Sequence, residues 1–167
     1  MPETAYKTAS TLLPEQMLVD FFSERKLKFA LAESCTGGLI AARITSISGA
    51  SAVFNGDVVC YANDVKRDLL GVPQRLLETE GDVSAACAKA MAEGARTALK
   101  SDIAVSVTGI AGPGGGTPEK PVGLVFIGIA TEATVSAEEY FFSGDRERIR
   151  KQAADAALTA ALCAAKQ

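Results

Sequence analysis

KFALAESCTGGLIAARITSI, residues 28–47, decides how the rest of the chain is read. KFALA is a short apolar run of β character. GGLIAARITSI has helical spacing through Leu39, Ile40, Arg43 and Ile44. SCT lies between them, at a strand-to-helix junction. A strand that turns directly into a helix is the repeating unit of α/β proteins.

Working outward, residues 13–26 predict a helix, with Pro14 in its first turn and Met17, Leu18, Phe21 and Phe22 on one face. Residues 52–61 predict a strand with a kink at Asn55-Gly56. NDVKRDLLG predicts a short helix, capped by Asn63 or Asp64 and closed by Gly71. Pro73 begins another turn, and Ser84 caps a longer helix reaching Lys100. Residues 102–109 predict a buried strand. Residues 122–130 and 133–142 predict a hairpin, and Asp145 opens a last, Ala-rich helix. The expected fold is a three-layer α/β/α sandwich around a mixed, mostly parallel sheet of about five strands. The expected organisation is a flexible tail over residues 1–10 and one domain over 11–167.

Composition narrows the chemistry. The 167 residues are 48% hydrophobic but only 6% aromatic, with no tryptophan, so the core is built from Ala, Val, Ile and Leu. A net charge of −3 gives no basic footprint for nucleic acid. No apolar run approaches a membrane span, and the polar start MPETAYKTAS lacks a signal peptide's pattern. A cytoplasmic protein with neither nucleic acid nor membrane as partner is expected. The four cysteines have no CxxC spacing and are expected to be free thiols. The chain has no histidine, which removes Ser-His-Asp and Cys-His dyads and HExxH zinc chemistry. Neither a metal nor a cofactor is expected.

Two loops stand where α/β sheets gather ligands, beyond the carboxyl ends of strands. One is ESCTGG. Ser34 or Thr36 can simply cap the helix there, but free N–H groups at a helix start also suit an anion or an oxyanion. Ser34 and Cys35 are both candidate nucleophiles. The other loop is GIAGPGGGTPEK, which has neither Walker A spacing nor a following helix. Its glycines can form an anion nest. Tyr61 and Lys66, in YANDVK, are the candidate bases in a protein without histidine. A solvated helix face is the plainer reading of Lys66. Arg146, at a helix start where the dipole disfavours a cation, hints at a bound phosphate or carboxylate. An exposed charge explains it equally well.

AESCTGG, FNGDVVCYANDVKRDLLGV, GDVSAACAKAMAEGA, SVTGIAGPGGGTPEKPVGLV and FSGDRERIR together resemble the CinA C-terminal domain family in order and spacing. The resemblance covers the chain from about Leu12 onward. It is to a stand-alone form, without the larger N-terminal domain of competence-and-damage-inducible proteins. Two departures are Asn55-Gly56, where many relatives read Gly-Gly, and Asp82, where many read alanine. The resemblance implies nicotinamide mononucleotide amidase activity, yielding nicotinate mononucleotide and ammonia in pyridine nucleotide recycling. It favours Ser34 as nucleophile, with Lys66 acting alone or through Tyr61. It implies an oxyanion site at Thr36, Gly37 and Gly38. Substrate-binding positions are carried over to Glu33, Asn63, Thr108 and Gly109, to Gly112, Gly114, Gly115, Gly116 and Thr117 of the glycine loop, and to Arg146. A homo-oligomer is implied as well. The alternative is a regulatory module that holds a nucleotide without turnover.

Overall fold

The structure, a computed structural model, describes residues 12–167. The expected tail over residues 1–10 lies outside that range. Pro14 begins α1 (Pro14–Arg25), and Lys26 ends it in the left-handed conformation. The strand-turn-helix unit follows as β1 (Phe29–Glu33) and α2 (Leu39–Thr45). A 3₁₀ turn (Ala50–Ala52) leads into β2 (Phe54–Val59) and α3 (Asn63–Leu70). The cap of α3 is Ala62 rather than Asn63 or Asp64, and Gly71 closes the helix at φ 68°. Next come α4 (Gln74–Thr79), α5 (Ala85–Ala98) and β3 (Ile103–Gly109). The chain ends with β4 (Leu124–Ala130), β5 (Val135–Phe141) and α6 (Arg146–Ala165). Ser84 and Asp145 cap α5 and α6 as expected, accepting from the Cys87 and Arg148 N–H groups at 3.1 and 2.9 Å.

The sheet order is β2-β1-β3-β4-β5. β1 pairs in parallel with both β2 and β3, while β3–β4 and β4–β5 are antiparallel. Only β4 therefore runs against the others. Connections leave β1 to one side through α2 and return to its other side through α5, so β1 is a topological switch point. The carboxyl ends of β1, β2, β3 and β5 open at one edge. They deliver Ser34, Tyr61, the glycine loop and Arg146 to it.

The two faces are packed differently. Phe29, Leu31, Val105 and Val107 point into an aliphatic layer with α1, α2 and α6. Ala30, Ala32 and Ala104 point the other way, towards α5. These small side chains let α5 lie unusually close. The Ser106 hydroxyl donates to the Ala88 carbonyl, and a Cβ on Gly128 would overlap that same oxygen. Gly94 repeats the device on the far side of α5, where a Cβ would overlap the Leu70 carbonyl. Replacing an exposed helical glycine by alanine ordinarily stabilises by about 1 kcal/mol. At Gly94 overpacking, at about 1–3 kcal/mol, opposes that gain and wins. Urea unfolding of Gly94→Ala is expected to show lower stability than the parent protein.

Candidate active site

The turn after β1 is held from three sides. Glu33 ends the strand with the same parity as Phe29 and Leu31, so its side chain points inward and is fully buried. Its carboxylate accepts from the N–H groups of Gly38 and Ala41 at 3.0 and 2.9 Å, and of Ile40 at 3.2 Å. An acidic side chain thereby satisfies the orphan donors at the start of α2 and complements its dipole. From α6, Arg150 donates to the carbonyls of Cys35 and Thr36 at 3.1 and 2.8 Å. In a planar trans peptide, C=O and the next N–H point in opposite directions. Gripping the Cys35 carbonyl therefore turns the Thr36 N–H away from α6.

Lys66 supplies the third hold. It is fully buried, reaching across from α3. Its Nζ lies 2.8 Å from the Cys60 carbonyl, 3.3 Å from the Tyr61 carbonyl and 3.1 Å from Ser34 Oγ. Two carbonyls occupy two N–H directions, and the third position of the amine faces the serine. In the neutral amine that position is a lone pair, which can accept the hydroxyl proton. No carboxylate pairs with Lys66 among the described residues.

Tyr61 stands between this pair and a cavity of about 350 Å³ formed largely by the glycine loop, which the pair itself does not line. Its carbonyl holds Lys66, while its exposed phenol accepts from Arg146 Nη2 at 3.1 Å. Arg146 also donates to the Gly112 carbonyl at 2.8 Å. Gly109, Gly112, Gly114, Gly115 and Thr117 line the cavity with Arg146. Two further lining residues, Asp82 and Lys120, were not singled out as site residues from the sequence. The Lys120 ammonium donates to the Glu80 carbonyl at 2.6 Å, which brings a second cation to a cavity suited to an anionic ligand.

Several expectations are corrected. Glu33 is not open to a ligand, because both carboxylate oxygens are used inside the fold. The Thr108 hydroxyl is spent on the Asp82 carbonyl at 2.7 Å, anchoring the loop before α5. Gly37 and Gly38 supply left-handed φ values of 58° and 96° to the turn rather than free donors. The Gly37 N–H donates to the Ser34 carbonyl and the Gly38 N–H to Glu33. Among the described residues, the Cys35 and Thr36 N–H groups have no protein partner, so the turn's free donors lie one step back from Gly37 and Gly38. The Tyr61 phenol faces Arg146 instead of Ser34, so of the two candidate bases only the Lys66 amine contacts the serine hydroxyl. Asn63 is exposed at the start of α3, and Gly116 packs against the Val122 backbone. The Arg150 clamp had no local signal, since it acts across 115 residues.

Comparison with known proteins agrees with this fold. Residues 13–164 match the family model described as CinA C-terminal domain. A CinA-like protein of Geobacter metallireducens is 61% identical over 77% of the chain, which spans 31% of that protein. The chain spans about a third of the length of the curated relatives it matches. The crystal structure of competence/damage inducible protein CihA from Agrobacterium tumefaciens is 41% identical, with a TM-score of 0.89. That alignment covers 95% of this chain and all of the other. A CinA superfamily protein from Klebsiella pneumoniae is 29% identical at a TM-score of 0.88, over 92% of this chain and 96% of its own. No helix among the described residues is long and apolar enough to cross a membrane, and none of their His, Cys, Asp and Glu side chains cluster to hold a metal.

The cysteines divide by environment. Burial pushes the Cys35 thiol up to about 11, so it is not a thiolate near neutrality despite its place beside a helix start. Burial likewise raises Cys60 to about 12 and Cys87 to about 11, whereas Cys163 is exposed. Iodoacetamide at neutral pH is expected to label Cys163 alone in the native protein and all four cysteines after unfolding, as read by peptide mass spectrometry.

Proposed function

The chain belongs to the CinA C-terminal domain family, and from that membership and its site geometry we propose that it hydrolyses the carboxamide of nicotinamide mononucleotide through Ser34. The observation that carries the reading is the buried Lys66 amine, fixed by two carbonyls and 3.1 Å from Ser34 Oγ. Lys66 takes the serine proton as Oγ attacks the carboxamide carbon. The Cys35 and Thr36 N–H groups, which no acceptor among the described residues takes, stand as donors to the resulting oxyanion, Cys35 being the one that keeps exposed surface. One such donor is typically worth about 3 kcal/mol of barrier. The Lys66 ammonium returns the proton to the departing nitrogen, and ammonia leaves an ester on Ser34. Water, deprotonated by Lys66, attacks that ester, and Ser34 recovers its proton as nicotinate mononucleotide is released. Arg146, Lys120 and the glycine-loop amides suit the phosphate. The scheme requires neither a metal nor a cofactor.

The direct test is ammonia release from nicotinamide mononucleotide by purified protein and variants. Ser34→Ala is expected to lose about a thousandfold or more in kcat, as other activated nucleophiles do. Cys35→Ala is expected to stay within about threefold, since its buried thiol is not the nucleophile. Tight binding without ammonia release would instead favour the nucleotide-holding module. Loss of activity in Cys35→Ala with retention in Ser34→Ala would reassign the nucleophile. In Arg150→Lys a point charge replaces the two-pronged grip on the turn. It is expected to lower kcat about tenfold with KM nearly unchanged, because the turn donates to the oxyanion and not to the phosphate.

A further inference from the structure

Beneath the Ser34 turn lies a carboxyl group that the proposed reaction does not use. Asp57 sits in the middle of β2, and its pairing with Leu31 puts its side chain on the α2 face, diagonal to Glu33. Both Asp57 carboxyl oxygens are buried, and neither has an N–H or O–H donor among the described residues. A buried carboxylate without a donor is costly, and the group that faces it is another carboxylate. Glu33 in turn depends on its charge to hold the N–H groups of Gly38, Ile40 and Ala41.

The surroundings offer Asp57 no cation. On β1 the only titratable side chain is Glu33. On α2 it is Arg43, whose guanidinium is taken by Glu15 at 2.7 Å and Asp155 at 2.8 Å. The 3₁₀ turn beside β2 has none, and β2 has no other. Lys28, just before β1, gives its ammonium to the Ala52 carbonyl. Cys60, just after β2, is a buried neutral thiol. Two adjacent carboxyl groups without a cation are held by one shared proton.

We propose that Asp57 is a positioning residue for the Ser34 turn: as a neutral acid it donates its proton to Glu33, and when it ionises it repels Glu33 from the start of α2. The consequence is a site whose geometry depends on pH. Burial first, and the Glu33 charge second, push the Asp57 carboxyl up to about 7. Above that pH, repulsion within the pair weakens the cap on α2. The turn that sets Ser34 against Lys66 then loosens. The stability effect has a definite sign. Between about pH 4 and pH 7 the folded protein retains the Asp57 proton that the unfolded chain has lost, so stability falls as pH rises through that window and levels off above it.

The activity arm of this inference rests on the proposed amidase reading, and the stability arm does not. The experiment records kcat/KM for nicotinamide mononucleotide and the thermal midpoint across pH for the full chain and for Asp57→Asn. Asparagine can donate to Glu33 at every pH. The parent protein is expected to lose about tenfold in kcat/KM between pH 7 and pH 9, while Asp57→Asn holds within about threefold. The downward slope of the thermal midpoint between pH 4 and pH 7 is expected to flatten in the variant. An identical alkaline loss in both proteins, or none in the parent, overturns the positioning role. If the parent releases no ammonia at any pH, the amidase reading fails, and the thermal comparison alone decides the shared proton. Should the variant not fold, carbon-13 NMR of aspartate carboxyls in the parent decides it. A carboxyl titrating near pH 7 supports the pair, and the absence of any above about pH 5 overturns it.

Discussion

The structure turns on one buried amine. Lys66 has no exposed surface, and an unpaired ammonium in such a place would cost several kcal/mol. Its nitrogen is instead shared among the Cys60 and Tyr61 carbonyls and Ser34 Oγ, which ties the end of β2 and the start of α3 to the turn after β1. The same contact that satisfies a polar group inside the protein also points an amine at a hydroxyl. On the proposed reading, packing and chemistry are carried by a single set of distances.

The turn itself is rigid because both polar signs of its backbone are taken up. Glu33 accepts the N–H groups that open α2, and Arg150 donates to the carbonyls on the opposite side. Left between them are two N–H groups, of Cys35 and Thr36, that the fold does not use. On the proposed reading these are preorganised for an oxyanion. The close seating of α5 on small side chains serves the same end at a distance. It fixes α5 and the loop before it, where Thr108 anchors Asp82 at the rim of the cavity.

Much of this was legible in the residues. The period change within residues 28–47 located β1 and α2, and the caps at Ser84 and Asp145 located α5 and α6. Ser34 and Lys66 emerged because a chain without histidine has few other bases. Glu33 was legible in principle: counting by twos from Phe29 and Leu31 puts it on the inward face. Thr108 follows the same rule from Ala104 and Ser106. Arg150 and Lys120 were not legible, because their partners are brought close only once the sheet and its helices are assembled. Nothing in the local sequence marks Asp57, which stands in a strand that predicts only a kink at Asn55-Gly56. Only the register with Leu31 shows that it faces Glu33.

The account stands or falls on whether Ser34 becomes acylated. Intact-protein and peptide mass spectrometry of the protein, acid-quenched soon after mixing with nicotinamide mononucleotide, reads this directly. The account predicts a transient adduct with the mass of the nicotinate mononucleotide acyl group, located on Ser34 and absent from Ser34→Ala. An adduct on Cys35, or ammonia release with no covalent adduct at any quench time, contradicts it.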